Sequence, residues 1–489
     1  MENNASPNDL PRVFFYSLVF LTLAIFFKLF NQMDVDYDLW LHIFMGKQSL
    51  LKGDLQRLDI YSFTNYGAAV INHEWLSQII WAKVFDFSGE TGIIAFRWLL
   101  SLLIIFFATK LICFKINDKL SRIIVLISFA VVVSRGISFR MHMFSYLFLL
   151  MVLYLIYFCL PQRKYLTVIL LSFLFALWAN LHGAFVLGLF IYFIYFLEEK
   201  LKSGWQQLTW RDAIIVFPLL ATLINPYGIK LWFYIIGELL NPISNKYITE
   251  WQRFDFSSRE IPFFLVLLVT WMAFFTGGRK KHISETVMLV VASVMGLSSV
   301  RHTPLFVILA LPAVALHLEG AMIKITKTDR ESKTISSVGV ISVSVLLFLF
   351  SLFFFYLGLK DGWNLQTRKD PLPVKTVSYL QNNNIAGNLW LPLHWGGYAL
   401  YHLYPSIKVS IDGRWAMTYT HEVMQDNMDF SYNGTSGKWK QILNKYSADY
   451  VLAEPSNPAL PEMIKDTDWE LIAKDNDSLL FRKRKVHWK

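Results

Sequence analysis

Three aspartates follow the first long apolar run of this chain, in the segment "NQMDVDYDLWLH" at residues 31–42. Asp34, Asp36 and Asp38 alternate with other residues, and His42 lies one helical turn after Asp38 on the same side. A carboxylate here can act as general base on an acceptor hydroxyl. An acid at the start of a helix also complements the helix dipole. We therefore predict that Asp38 is the base, that Asp36 is the second candidate and that Asp34 is a solvated loop residue.

Further polar residues fall beside later apolar runs, where a membrane would resist them. They are Asp59, His73 and Glu74 in the first loop, then Arg140, His142, Asn180, His182, Glu250, Arg301 and His302. Placing an ionisable group at membrane depth costs about 2.5–3.5 kcal/mol, so such groups usually face a cavity or one another. The pattern predicts that these residues share one polar cavity on one side of the bilayer.

The basic members of this set suit a lipid phosphate. Arginine and histidine can bind phosphate oxygens and stabilise the charge that develops on a leaving group. The predicted phosphate ligands are Arg140, His142, His182, Arg301 and His302. Three of them, Arg140, His182 and Arg301, have no acid nearby in sequence and are expected to surround one anionic group. The acids could instead bind a divalent cation that does the same work, and no other cofactor is indicated.

The composition indicates a membrane protein. Of the 489 residues, 55% are hydrophobic and only 17% are charged, whereas soluble domains average about 25% charged. Many apolar runs approach the roughly 20 residues that cross a bilayer as a helix. About eleven spans are predicted, at 13–30, 91–114, 122–138, 141–160, 166–180, 183–197, 213–226, 263–277, 285–300, 303–318 and 336–359.

The net charge of +10 does not indicate nucleic-acid binding, because lysines and arginines gather in short loops between the spans. Cytoplasmic loops carry such an excess. This distribution predicts a cytoplasmic N-terminus and places all the polar residues discussed above on the outer side. The two cysteines, Cys113 and Cys159, lie near cytoplasmic span ends and indicate neither a disulfide framework nor a zinc site.

The chain divides into three predicted regions. Residues 1–12 are a disordered N-terminus, residues 13–359 are a transmembrane domain, and residues 360–489 are an extracytoplasmic α/β domain. A large outer loop at 31–90 belongs to the second region. Within this loop the segments 38–51 and 73–85 are predicted to be interfacial helices.

The last region alternates strand-like runs with helical patterns, as small α/β domains do. The strand-like runs are "GNLWLPL", "IKVSIDG", "ADYVLAEP", "WELIAKD" and "SLLFRKR". The segment "IDGRW" places Asp412 and Arg414 just after a strand, which is where α/β folds often carry sites. The alternative is a turn in which the aspartate simply pairs with the arginine.

These features resemble the GT-C superfamily of membrane glycosyltransferases. The resemblance rests on the acids of "DVDYDLW", on loop helices around His42 and Trp75, and on a soluble outer domain after many short-linked spans. It also includes "HEWL", "NP-x-G", "EW" and "RH" at comparable places in uncharacterised bacterial inner-membrane proteins. It implies a polyprenyl-phosphate sugar donor, a lipid, glycan or protein acceptor, and a site on the outer face of the inner (plasma) membrane.

Two other functions fit the sequence. A lipid-linked glycan polymerase or ligase would depend more on the outer arginines and histidines than on Asp36 and Asp38. A transporter or flippase would usually show a two-fold repeat of interrupted spans, and none is recognisable. The expected fold is therefore an all-α polytopic membrane domain with a C-terminal extracytoplasmic α/β domain, and the expected function is sugar transfer.

Overall fold

The structure, a computed structural model, describes residues 11–204, 216–239, 260–328, 337–363, 365, 371–433 and 437–484. Its N-terminal part is mostly helical, as the composition predicts. The helices are α1 (Arg12–Phe30), α2 (Asp38–Lys52), α3 (Trp75–Lys115), α4 (Lys119–Val133), α5 (His142–Tyr154), α6 (Lys164–Leu181), α7 (Phe185–Ser203), α8 (Phe217–Ala221), α9 (Lys230–Leu239), α10 (Ile261–Thr276), α11 (Ile283–Ser298), α12 (Thr303–Thr328) and α13 (Ser337–Lys360).

Several of these helices can cross a membrane. By length and composition, six described segments qualify: Arg12–Phe30, Trp75–Lys115, His142–Cys159, Lys164–Leu181, Val300–Lys324 and Gly339–Lys360. Helices α10 and α11 are equally apolar but shorter. The chain is thus a multi-pass membrane protein. Of the predicted span 213–226, only the part from residue 216 onward is described, and it contains α8. Helix α9 lies in what the sequence indicates as an outer loop.

The loop after α1 and the C-terminal domain are named the outer loop and the outer domain after the side of the membrane that the sequence predicts for them. The outer loop contains the two predicted helices. The first is α2, which begins at Asp38 and ends before Gly53, a residue in the left-handed conformation that stops the helix. The second is the first limb of α3, which continues into the span after a kink. At the kink Gly89 has φ 57° and ψ −145°, a conformation that residues with a Cβ rarely adopt.

The first and last spans pack side by side. Phe27 of α1 contacts Phe355 of α13 with ring centroids 4.9 Å apart, and Lys28 forms an ion pair of 2.6 Å with Asp361. The Asn31 side chain donates a hydrogen bond of 2.9 Å to the Gly358 carbonyl. This packing brings the start of the outer loop next to the segment that leads into the C-terminal domain.

The C-terminal domain is the predicted α/β unit, and all five predicted strands form. They are β1 (Gly387–Trp390), β2 (Ile407–Val409), β3 (Tyr450–Ala453), β4 (Trp469–Lys474) and β5 (Leu479–Lys483), in the order β2-β1-β3-β5-β4. Strands β2, β1 and β3 are parallel, whereas β5 pairs antiparallel with β3 and β4. Five helices connect the strands or precede them: α14 (Val374–Asn382), α15 (Leu393–Leu403), α16 (His421–Met428), α17 (Lys438–Lys445) and α18 (Leu460–Met463).

The outer loop and the C-terminal domain share one hydrophobic core. Leu41, Phe44 and Met45 of α2 and Tyr61 of the loop are buried among side chains of the domain. The loop also lengthens the sheet edge, because the Phe63 amide donates to the Val409 carbonyl at 3.1 Å. The loop is therefore as much a part of the outer domain as of the membrane domain.

The topology expected from the basic loops can be measured by cysteine labelling. In a background of Cys113→Ser and Cys159→Ser, we expect a membrane-impermeant maleimide added outside to label Asn433→Cys and to miss Asn117→Cys. Both positions are exposed in the structure, so accessibility should depend only on the side of the membrane. Labelling of Asn117→Cys alone would mean that the acids of the first loop face the cytoplasm.

Candidate active site

Two of the three clustered aspartates share one arginine. Arg140 lies in the turn that leads into α5, and its Nη2 is 2.5 Å from Asp36 Oδ2 and 3.4 Å from Asp38 Oδ2. Asp36 Oδ1 also accepts a hydrogen bond of 3.0 Å from the Asp38 amide, which fixes the start of α2. The expectation that Arg140 has no acidic partner is therefore wrong. The acids are close in space because the outer loop folds back onto the turn before α5.

The arrangement distinguishes the two carboxylates. Burial opposes ionisation of Asp36, but the Arg140 guanidinium and the Asp38 amide more than compensate and hold the pKa of Asp36 below its ordinary value. A carboxylate so stabilised as the anion is a weak base. Asp38 lies farther from the guanidinium, and its place in the first turn of α2 restrains its backbone. The geometry thus favours Asp38 over Asp36 as the proton acceptor.

A third carboxylate, Glu74, lies among histidines near the aspartates. Glu74 Oε2 is 3.8 Å from Nδ1 of His42, and Glu74 Oε1 is 3.7 Å from Nε2 of both His73 and His182. Since His42 follows Asp38 by one turn, it links this cluster to the aspartates. Arg301 is near enough to lower the pKa of both His73 and His182.

Hydrogen bonds set the state of these histidines. His182 Nδ1 accepts from the Ala184 amide at 3.2 Å and contacts Ser145 Oγ at 2.8 Å, which itself accepts from Trp178 Nε1 at 2.8 Å. The hydroxyl proton of Ser145 is therefore directed to Nδ1, and the proton of His182 lies on Nε2, facing Glu74. Ser145 carries no signal in the sequence beyond its position in an apolar helix.

The histidine cluster is uncharged at neutral pH. Burial lowers the pKa of His42, although Glu74 and Asp36 oppose this in part. Burial, assisted by Arg301, lowers the pKa of His73 to about 4. Burial also holds the pKa of His182 well below its ordinary value. Neutral imidazoles can donate or accept hydrogen bonds within the cavity without adding charge.

His142 and His302, which the sequence assigns to the phosphate, are held in turns beside the cluster. The His142 ring donates from Nε2 to the Gly136 carbonyl at 2.7 Å, which closes the turn before α5. His302 shares the 3-10 turn Val300–His302 with Arg301 at the start of α12. Glu250 lies outside the described residues.

Four other sequence candidates lie outside this cluster and hold the structure together. The Asn180 side chain accepts from Trp75 Nε1 at 2.9 Å and donates to the Ile224 carbonyl at 2.7 Å, which ties three segments together. Arg414 forms buried ion pairs of 2.7 Å with Asp59 Oδ1 and 2.6 Å with Asp412 Oδ2. The alternative reading of "IDGRW" as a turn with a paired arginine is the one that the structure supports, with Asp59 as an additional partner.

The residues present do not suit a divalent cation at the aspartates, because the Arg140 guanidinium already lies where both carboxylates converge. Within the described part of the chain, no group of three or more His, Cys, Asp or Glu side chains is arranged to hold a metal ion. Arg140 supplies the positive charge that a cation would otherwise provide.

No family model and no curated protein matches the sequence of this chain. Its fold, in contrast, matches several solved structures. The AglB oligosaccharyltransferase of Archaeoglobus fulgidus, in complex with an inhibitory peptide and a dolichol-phosphate, matches with a TM-score of 0.57 and 10% identity over 90% of this chain and 69% of its own. ArnT from Cupriavidus metallidurans, bound to undecaprenyl phosphate, matches with a TM-score of 0.51 and 10% identity over 95% and 97%. This chain has the GT-C fold. These neighbours are GT-C glycosyltransferases, the superfamily that the sequence resembles.

Stability should fall as the solution is acidified, because the buried histidines are neutral in the folded GT-C chain. Since the folded pKa values lie below the ordinary 6.5, the unfolded chain binds more protons between pH 6.5 and about 4, and stability is lost through that range. We expect His73→Gln to lose less stability than wild type between pH 7 and 5, measured as Tm in nanodiscs. His421→Gln, at an exposed position, is the control and should follow the wild type. The same change of Tm with pH in all three proteins would contradict the conclusion that His73 is neutral in the folded state.

Proposed function

We propose that this protein transfers a sugar from a polyprenyl-phosphate donor to an acceptor hydroxyl at the outer face of the inner membrane. The observation that carries the proposal is the arrangement of Asp38, Asp36 and Arg140 at the start of α2, where the chain leaves the first span. Support comes from the GT-C fold and from two neighbours whose bound ligands are dolichol-phosphate and undecaprenyl phosphate. Both ligands combine an isoprenoid tail with a phosphate.

The donor would lie with its isoprenoid tail in the bilayer and its phosphate in the polar cavity. Arg301 and the His182 Nε2–H group are the donors that we assign to the phosphate oxygens, because Arg301 is close enough to His182 to act on it electrostatically. Glu74 lies 3.7–3.8 Å from nitrogens of the three imidazoles. Since the three nearby histidines are neutral, Arg301 supplies most of the positive charge on this side of the cavity.

The transfer would be a single displacement. Asp38 removes the proton of the acceptor hydroxyl, the hydroxyl oxygen bonds to the anomeric carbon, and the bond between that carbon and the phosphate oxygen breaks. The polyprenyl phosphate leaves with the electron pair, and its charge is stabilised by the donors assigned above. Asp36 holds Arg140 in place, and Arg140 in turn contacts Asp38 at 3.4 Å, which restrains its carboxylate.

Replacing Asp38 should slow the transfer reaction without weakening the binding of the lipid phosphate. We expect Asp38→Asn, purified at full length in nanodiscs, to release undecaprenyl phosphate from undecaprenyl-phosphate-linked monosaccharides at least 100-fold more slowly than wild type, in the range that general bases contribute. Binding of undecaprenyl phosphate alone should change little, because the amide keeps the shape of the side chain. Asp54→Asn, in an exposed position of the same loop, is the matched control.

Normal turnover by Asp38→Asn together with a dead Asp36→Asn would move the base two residues earlier. Turnover by both variants would contradict this mechanism and favour a lipid-linked glycan polymerase or ligase, which relies on arginines and histidines. Flux of a lipid-linked sugar across sealed vesicles without any bond cleavage would instead support a flippase.

Chelation should leave the reaction intact, because the Arg140 guanidinium already lies between the two aspartates, where a cation would have to bind. We expect release of undecaprenyl phosphate to continue within twofold of its initial rate in excess EDTA, and Arg140→Ala to be strongly impaired with or without added Mg²⁺ or Mn²⁺. A rate that collapses in EDTA and returns when one of these ions is added would show that a cation contributes despite the guanidinium.

A further inference from the structure

The C-terminal domain lies directly against the start of α2. Gly397 of α15 is so close that a Cβ built on it would be 2.7 Å from Leu41 Cβ and 3.0 Å from the Leu41 amide nitrogen. A Cβ at Gly413, in the turn after β2, would overlap Asp38 Oδ1 itself. The backbone of the outer domain therefore forms one wall of the space around the Asp38 carboxylate.

The close approach explains why glycine stands at position 413. Its φ is not in the left-handed region, so the backbone conformation alone would accept other residues. What excludes a side chain is the carboxylate of Asp38, a residue far away in the sequence. A backbone this close restricts the positions that the carboxylate can take.

The turn that carries Gly413 is anchored on both sides. The Asp412 carboxylate accepts from the Arg414 amide at 3.0 Å and from Arg414 Nε at 2.8 Å, so the turn is closed by its own side chains. Arg414 Nη1 then donates to Asp59 in the outer loop at 2.7 Å. Arg414, Asp412 and Asp59 are all at most 3% exposed, so water competes little for these contacts.

A second contact places the domain over the same segment. The His394 ring at the start of α15 meets the Tyr37 ring edge-on, with centroids 6.2 Å apart, and Tyr37 lies between Asp36 and Asp38. His394 is itself held by Glu454 through a contact of 3.2 Å. Both residues follow the carboxyl ends of adjacent parallel strands, β1 and β3, so this edge of the sheet faces the candidate site.

We infer that Gly413 is a positioning residue for Asp38 and that the buried Asp59–Arg414–Asp412 network is the anchor that holds it there. This inference rests on the proposed function, because it assigns to the outer domain the orientation of the transferring base. The C-terminal domain then completes the active site instead of being a separate module attached to it.

The test adds one methyl group. We expect Gly413→Ala at full length in nanodiscs to lower kcat for undecaprenyl phosphate release at least tenfold, because small misplacements of a reacting group are costly. Binding of undecaprenyl phosphate alone should stay within twofold. The acid limb of the kcat/KM profile should move to higher pH, since a methyl group against a carboxylate reduces its hydration and disfavours the charged form. Gly237→Ala, where an added Cβ meets nothing within 4 Å, is the control.

Gly397→Ala tests whether a general disturbance of the interface would have the same effect as Gly413→Ala. Its added Cβ meets Leu41 of α2 but not the Asp38 carboxylate. Gly397→Ala should lower Tm and leave the acid limb of the kcat/KM profile at the same pH as in the wild type. The inference is overturned if Gly413→Ala keeps its kcat and its acid limb while Asp38→Asn is inactive. Full turnover by Asp38→Asn would instead overturn the proposed function.

If Gly413→Ala does not fold, a variant of the Asp59–Arg414–Asp412 network provides a second test. Asp59→Asn leaves Arg414 paired with Asp412, removes the charge of its partner in the loop, and keeps an amide oxygen that can still accept from the Tyr61 and Ser62 amides. We expect a fall in kcat of severalfold with unchanged binding of undecaprenyl phosphate. Wild-type kcat in a folded Asp59→Asn protein would show that the anchor does not act on Asp38.

Discussion

The ion pair between Arg140 and Asp36 is the contact on which the candidate site depends. It joins the start of the first outer loop to the turn before α5, two segments about a hundred residues apart in the chain. Arg140 is only 8% exposed, so its charge has little access to water and needs the carboxylates. Removing one partner of such a pair typically costs about 3–5 kcal/mol, because the other charge is left buried alone. The same pair that gives the loop its position also lowers the pKa of Asp36, although burial opposes this, and so keeps Asp36 ionised.

The outer domain depends on a second pair of this kind. Arg414 is buried between Asp59 of the loop and Asp412 of the domain, and burial alone would lower its pKa. Asp412, Tyr419 and Asp59 outweigh that effect and raise the pKa of Arg414 well above its ordinary value, so the guanidinium stays charged. Hydrophobic packing of α2 against the domain brings the surfaces together, and the directional ion pairs select one alignment. This alignment is what brings the turn after β2 to Asp38.

The two sides of the candidate site differ in their electrostatics. On the aspartate side, charges are paired and remain ionised. On the Glu74 side, burial keeps His42, His73 and His182 neutral, and fixed hydrogen bonds orient at least His182. A carboxylate near neutral imidazoles is the combination on which the proposed transfer depends. Burial disfavours charged groups, so the histidines become neutral. Asp36 stays ionised despite its burial because Arg140 is fixed beside it.

Much of this architecture is readable from the amino-acid sequence, because it depends on local chemistry. Long apolar runs can satisfy their backbone in a bilayer only as helices, so the spans follow from composition. Alternating strand-like runs between turns similarly predict the five strands of the outer domain. The start of α2 at Asp38 and the kink region near Gly89 follow from capping and from backbone freedom.

Which polar residues meet is decided only by the tertiary structure. Nothing local shows that Arg140 pairs with Asp36, that Asp59 pairs with Arg414, or that Gly413 touches Asp38, since each pair is separated by a hundred residues or more. The sequence indicates that these side chains are too polar for the membrane and must find partners. The partners are chosen by the packing of α1 against α13 and of α2 against the outer domain, because hydrophobic burial is not directional and many pairings would satisfy the same sequence pattern.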